Sequence, residues 1–123
     1  MGERILGDSL LTKDGTVLVV IDVQEKLFAK MEEKDRIAEN ICKLIRFANI
    51  VGITIVLTEQ YPKGLGSTIP EIKELTSSIK PIEKVEFSCL ASSTFRKRLA
   101  EIHAKNLVLT GIEAHICVAQ TAI

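Results

Sequence analysis

The chain has 123 residues, 46% hydrophobic and 26% charged, with sixteen Lys and Arg balancing sixteen Asp and Glu. That length suits one domain over residues 1–123 rather than two, with roughly two thirds of the unfolded surface buried on folding. The even charge offers no attraction for nucleic acid or an anionic membrane. Four Phe, one Tyr and no Trp leave little from which to build a base-stacking platform.

In chain order, residues 1–11 carry Glu3, Arg4 and Asp8 and do not read as a signal peptide. Residues 16–23, Thr-Val-Leu-Val-Val-Ile-Asp-Val, form the continuous apolar run of a strand buried on both faces of a parallel sheet. From Asp35 the period changes. Ile37, Ile41, Leu44, Ile45 and Ala48 recur at helical spacing and predict a helix that ends before Gly52. Residues 53–58 predict a second buried strand, and residues 61–67, with Pro62, Gly64 and Gly66, predict a loop. Pro70 suits the first turn of a short helix carrying Ile72 and Leu75. Residues 82–87 predict a third, shorter strand. Ser92 or Ser93 can cap a helix with Phe95, Leu99 and Ile102 on one face. Residues 106–110 predict a fourth strand, closed by Gly111, and a helix opens near Ala114.

Strands alternating with helices define an α/β fold, a three-layer α/β/α arrangement around a Rossmann-like parallel sheet. The last strand is followed by only part of a helix. The expectation is a sheet incomplete at its C-terminal side, either because the chain is a fragment or because a partner subunit completes it.

Asp22 stands at the carboxyl end of the first strand, where ligands of open α/β sheets bind. A carboxylate there is costly unless partnered; the alternative is an Asp that caps the following turn. Cys117 falls in the first turn of the final helix, where the helix dipole and open backbone N–H groups favour a thiolate. The alternative is a buried cysteine acting as a small hydrophobe. Lys84 stands among Glu83, Val85 and Glu86 and, read alone, is a solvated strand end. His115 and Cys117 lie two apart on a helix, facing different sides, which argues against a Cys–His dyad. His103 and His115 are the only histidines, neither falls in a ligand cluster, and no metal is expected. Cys42, Cys89 and Cys117 contain no C-x-x-C pair, so neither a zinc ribbon nor a redox dithiol is indicated, and a reducing, cytoplasmic setting is expected. Cys42 reads as packed and Cys89 as packed near the cleft. Glu59 and Gln60 either line the crevice or begin a solvated loop.

Three ordered segments resemble one known family. Val20-Ile21-Asp22-Val23-Gln24 resembles the D-x-Q motif of the isochorismatase-like cysteine hydrolases. Glu83-Lys84-Val85-Glu86-Phe87-Ser88 resembles their lysine motif, and residues 111–118, Gly-Ile-Glu-Ala-His-Ile-Cys-Val, resemble their nucleophile motif. Thr58-Glu59-Gln60-Tyr61-Pro62-Lys63-Gly64-Leu65-Gly66 is closest to the isochorismatase-domain-containing branch. Nicotinamidases of the superfamily carry a D-x-H-x-H metal motif here; Glu59, Gln60 and Tyr61 stand in its place, which argues against zinc.

The resemblance implies a Cys-Asp-Lys triad of Cys117, Asp22 and Lys84 that hydrolyses a C–N bond of a small amide through a thioester, without a cofactor. It also implies a cis peptide between Ile112 and Glu113 and an oxyanion hole from the backbone N–H groups of Glu113 and Cys117. Gln24, Phe28, Glu59, Gln60, Tyr61, Phe87 and His115 are candidates for the substrate pocket. The expected partners are a small-molecule substrate and further copies of the chain, with neither nucleic acid nor membrane. Family members usually continue through further strands and helices, which makes a degenerate binding protein one competing expectation; a redox-responsive thiol protein is another.

Overall fold

The computed structural model describes residues 13–86 and 88–112. Strand β1 (Thr16–Ile21) leads through a single turn of helix, α1 (Glu25–Phe28), to the long helix α2 (Lys34–Val51) and strand β2 (Thr54–Gln60). The short helices α3 (Pro62–Leu65) and α4 (Pro70–Leu75) precede strand β3 (Ile82–Lys84). A 3-10 turn at Cys89–Ala91, helix α5 (Ser93–Glu101) and strand β4 (Asn106–Gly111) follow.

The four strands form one parallel sheet in the order β3-β2-β1-β4. All six residues of β1 are buried, because it lies at the centre of the sheet with helices on either side. Its side chains alternate between two cores. Leu18 and Val20 join Ile55 and Leu57 of β2 beneath Ile41, Ile45 and Ala48 of α2 and Ile72 of α4. Val17, Val19 and Ile21 join Val56 beneath Phe95 of α5 and Cys89. A strand packed on both faces needs apolar residues at every position, which is why it shows no alternation in the sequence. The expected three-layer α/β/α architecture is therefore present.

Local chemistry sets the boundaries. Helix α2 ends at Gly52, whose φ of 81° suits a left-handed cap; the N–H groups of Gly52 and Ile53 both donate to the Ala48 carbonyl, at 2.9 and 2.8 Å, satisfying an otherwise open helix end. Of the two serines that the sequence offers, Ser92 caps α5 by accepting from the Phe95 amide at 3.3 Å. Residues 61–67, predicted as a loop, contain the one-turn helix α3, with Pro62 in its first turn. Strand β3 stops at Lys84 rather than running to residue 87. The helix expected near Ala114 lies outside the described residues. Among the described residues no helix is long and apolar enough to cross a membrane.

From β1 the chain steps to β2 and β3 on one side, then returns to place β4 on the other side of β1. The order of strands reverses at β1, and in folds of this type the crevice at the carboxyl ends beside that reversal is where ligands bind.

Candidate functional site

Asp22 follows β1 directly and adopts a left-handed backbone with φ of 53°. Its amide donates to the Thr58 carbonyl at 3.2 Å, and its own carbonyl accepts from the Gln24 amide at 3.0 Å. This bend ends the strand and holds the side chain at the rim of the sheet.

The Asp22 carboxylate is fully buried and accepts two hydrogen bonds. Lys84 Nζ donates to Oδ2 at 2.9 Å, and the Thr58 hydroxyl donates to Oδ1 at 2.8 Å. Lys84 ends β3, two strands from β1, so the cation spans β2 to reach its partner; neither side chain of the pair is exposed. The ammonium donates further to the Glu86 carbonyl at 2.8 Å and to Gln60 Oε1 at 3.4 Å. Burying two charges costs several kcal/mol per ion unless the geometry is good and the remaining donors and acceptors are met. Here they are met, and the pair is the most desolvated ionic feature among the described residues.

The pleat of β2 sorts the neighbouring candidates. Thr58 and Gln60 share the face of Asp22 and Lys84. Glu59 points the opposite way, and its Oε2 accepts from both the amide and the hydroxyl of Thr68 at 2.7 Å. Its carboxylate thus anchors the loop before α4. Gln24 is also fully buried. Its Nε2 donates to the carbonyls of Gln60 and Gly66, at 2.9 and 2.8 Å, and its Oε1 accepts from the Gln60 amide at 2.7 Å. It acts as a side-chain extension of the sheet, tying the end of β2 to the loop. Tyr61 is exposed, with φ of 41°. Its ring lies over Gly64, where an added Cβ would overlap it. Phe28 is partly buried against the α2-side core.

Cys89 is fully buried with its Sγ 4.0 Å from Thr58 Oγ1, which puts it beside the site as well as in the core. Cys42 is packed within α2, and burial pushes its thiol above the ordinary value. The register of β4 on β1 pairs Ile21 with Gly111, so the chain passes Asp22 as it enters the Gly111-Ile112 segment. Phe87, Glu113, His115, Cys117 and the Ile112–Glu113 peptide bond lie outside the described residues. Among the described residues no cluster of three or more His, Cys, Asp or Glu side chains could hold a metal ion.

Sequence reasoning missed Thr58 and Thr68. The available signal was a hydroxyl at the end of the apolar run Ile55-Val56-Leu57, where burial requires a partner.

The sheet, its reversal of strand order and the buried aspartate–lysine pair define a Rossmann-like α/β protein with a polar centre at the carboxyl rim. The isochorismatase domain model matches residues 16–123, and the chain belongs to that family. It is 35% identical over 116 residues to isochorismatase domain-containing protein 2 of Danio rerio, covering 94% of this chain and 58% of that protein. The MAR1 ribonuclease of Caenorhabditis elegans superposes with a TM-score of 0.81 at 35% identity, over 92% of this chain and 58% of that one. The YcaC gene product of Escherichia coli, described as an octameric hydrolase of unknown specificity, superposes with a TM-score of 0.85 at 23% identity, over 93% and 58%. The chain therefore spans little more than half the length of these relatives.

Proposed function

We propose that the chain is a cysteine hydrolase of small amide-type substrates, with Cys117 as nucleophile, Asp22 as proton acceptor and donor, and Lys84 as the cation that holds the charges of the site together. The observation that carries this reading is the buried Asp22–Lys84 ion pair at 2.9 Å, beside the point where the chain passes toward Cys117. A charged pair without solvent is an expensive way to stabilise a fold; it is an effective way to hold a base in a dry site.

In the proposed cycle Asp22 takes the Cys117 proton and the thiolate attacks the substrate carbonyl carbon. The backbone N–H groups of Glu113 and Cys117 receive the negative oxygen. The tetrahedral species collapses, and the amine leaves with the proton held by Asp22. Water then gives a proton to Asp22 and attacks the thioester, and the released Cys117 thiolate recovers that proton as the acid departs. No cofactor takes part. Gln60, Tyr61, Phe87 and His115 are assigned to the pocket wall, with Gln24 and Glu59 shaping it through the loop they anchor. The protein is assigned to the cytoplasm and to a homo-oligomer, the octameric YcaC assembly supporting the latter.

The test is iodoacetamide labelling near neutral pH, followed at each cysteine. Cys117 is expected to label much faster than Cys42 or Cys89, and Asp22→Asn to slow it by about 100-fold or more. Equal rates at the three cysteines would remove the activated thiol, and a change of a few-fold in the variant would remove Asp22 as the base. A second reading, hydrolysis of RNA, is favoured by the 35% identity to the nematode MAR1 ribonuclease. Ammonia release from a panel of small amides, run beside cleavage of a single-stranded RNA, separates the two.

A further inference from the structure

We infer that Thr58 is a positioning residue for Asp22, its hydroxyl setting the plane of the carboxylate that receives the Cys117 proton. The inference rests on the proposed role of Asp22 and adds a group outside the Asp-Lys-Cys set.

Thr58 ends the apolar run of β2 at 1% exposure. Valine would fill the same volume and suit the strand equally well. A hydroxyl in that place is costly unless it is used, and it is used once, as a donor to Asp22 Oδ1 at 2.8 Å. The thiol of Cys89 lies 4.0 Å from the same oxygen and can donate to it, which leaves the hydroxyl hydrogen free to serve the carboxylate.

The geometry explains why one donor is not enough. Lys84 meets only Oδ2, and its ammonium is a rotating donor set on a flexible stem. A carboxylate held through one oxygen can still turn about χ2, a soft torsion. Thr58 is β-branched and stiff at χ1, and its own backbone carbonyl accepts the Asp22 amide at 3.2 Å. The same residue therefore fixes both the main chain of Asp22 and, through a second oxygen, its side-chain plane. With both oxygens held, the lone pairs left for a proton point in a defined direction. Misplacing a reacting group by about 1 Å is enough to cost a rate factor of about 100.

The experiment compares Thr58→Val, Thr58→Ser, Asp22→Asn and the double variant Asp22→Asn/Thr58→Val. Each is checked for folding by circular dichroism, and iodoacetamide labelling of Cys117 is the readout. Thr58→Val is expected to slow labelling by about 10- to 100-fold, and Thr58→Ser, which keeps the hydroxyl, to restore most of the rate. In the Asp22→Asn background the Thr58→Val change is expected to have no further effect, because the two act as one unit. A Thr58→Val protein that labels at the parental rate while Asp22→Asn is slow would overturn the positioning role and leave the base intact. An equal slowing by Thr58→Val in both backgrounds would reduce Thr58 to a structural residue. Asp22→Asn labelling at the parental rate would bring down the base and this inference together. If Thr58→Val does not fold, Thr58→Ala is read by the same criteria.

Discussion

Two regions among the described residues contrast in character. At the carboxyl rim, Asp22, Lys84, Thr58 and Gln24 are sealed from solvent, with their polar atoms paired. Beside α2, Leu44, Phe47, Ala48 and Val51 face Leu18 of β1, Ile53 and Val108 of β4 across an apolar groove of about 390 Å³. A common expectation is that a well-formed apolar pocket with a few convergent polar groups marks the site. Here the groove contains no convergent polar groups beyond Lys13 and Thr16, whereas Lys84 borders a separate, more polar hollow of about 430 Å³ with Tyr61, Glu83, Glu86 and Ser92. The apolar groove and the charged rim are separate, and the ion pair is the better guide.

That contrast can be broken at several points. The largest effect is expected from Lys84→Met, which strands the Asp22 carboxylate in a dry site. The loss of stability in urea should be about 3–5 kcal/mol, with much of it recovered when Asp22→Asn is added. A loss below about 1 kcal/mol would mean that water reaches the carboxylate and that the rim is not a sealed region.

Gln24→Leu keeps the shape and deletes the clamp, leaving the Gln60 amide and the Gln60 and Gly66 carbonyls without this partner. The expected cost is about 1–3 kcal/mol, read as a shift of the urea midpoint. A neutral result would make the clamp dispensable.

Cys42 supplies a pH test away from both regions. Burial raises its folded-state pKa above 9.0, so the folded thiol keeps its proton where an unfolded chain loses it. Stability is unaffected by this group at neutral pH and falls as pH rises above about 9. The urea midpoint of the parent should therefore drop more between pH 8 and about 10 than that of Cys42→Val. Equal drops would show the thiol to be ordinary.

The smallest effect is expected at the groove itself. Phe47 is 59% exposed, and Phe47→Glu should change stability by no more than about 0.5 kcal/mol. A cost of about 2 kcal/mol or more would make the groove part of the core of this chain.

The contrast also shows what a linear reading can reach. The apolar run of β1 and the helical spacing of Ile41, Ile45 and Ala48 declare themselves, because burial on both faces and on one face leave different periods. The one-turn helices α1 and α3 did not, since four residues are too few to show a period. Lys84 was hardest to read from its surroundings. Glu83 is exposed and Val85 is 74% exposed, and only the register that pairs Gln60 with Lys84 lets the cation cross β2 toward Asp22. Its role entered through a resemblance of motifs, not through its neighbours. Thr58 needed the same register knowledge, and the segment resemblance that begins with it gave it no role.

The pairing of β4 with β1 runs without a break from Thr16–Asn106 to Ile21–Gly111. A slip of one position would carry the segment after Gly111 about 3.3 Å along the sheet and exchange the faces of Leu107, Val108 and Leu109. On the proposed reading those three residues touch no reacting atom, yet their register sets how far along the sheet the chain has travelled when it leaves β4 beside Asp22. Substitutions among them that leave the melting temperature alone can still spoil the alignment, and a loss of turnover traced to β4 would be an error of distance, not of chemistry.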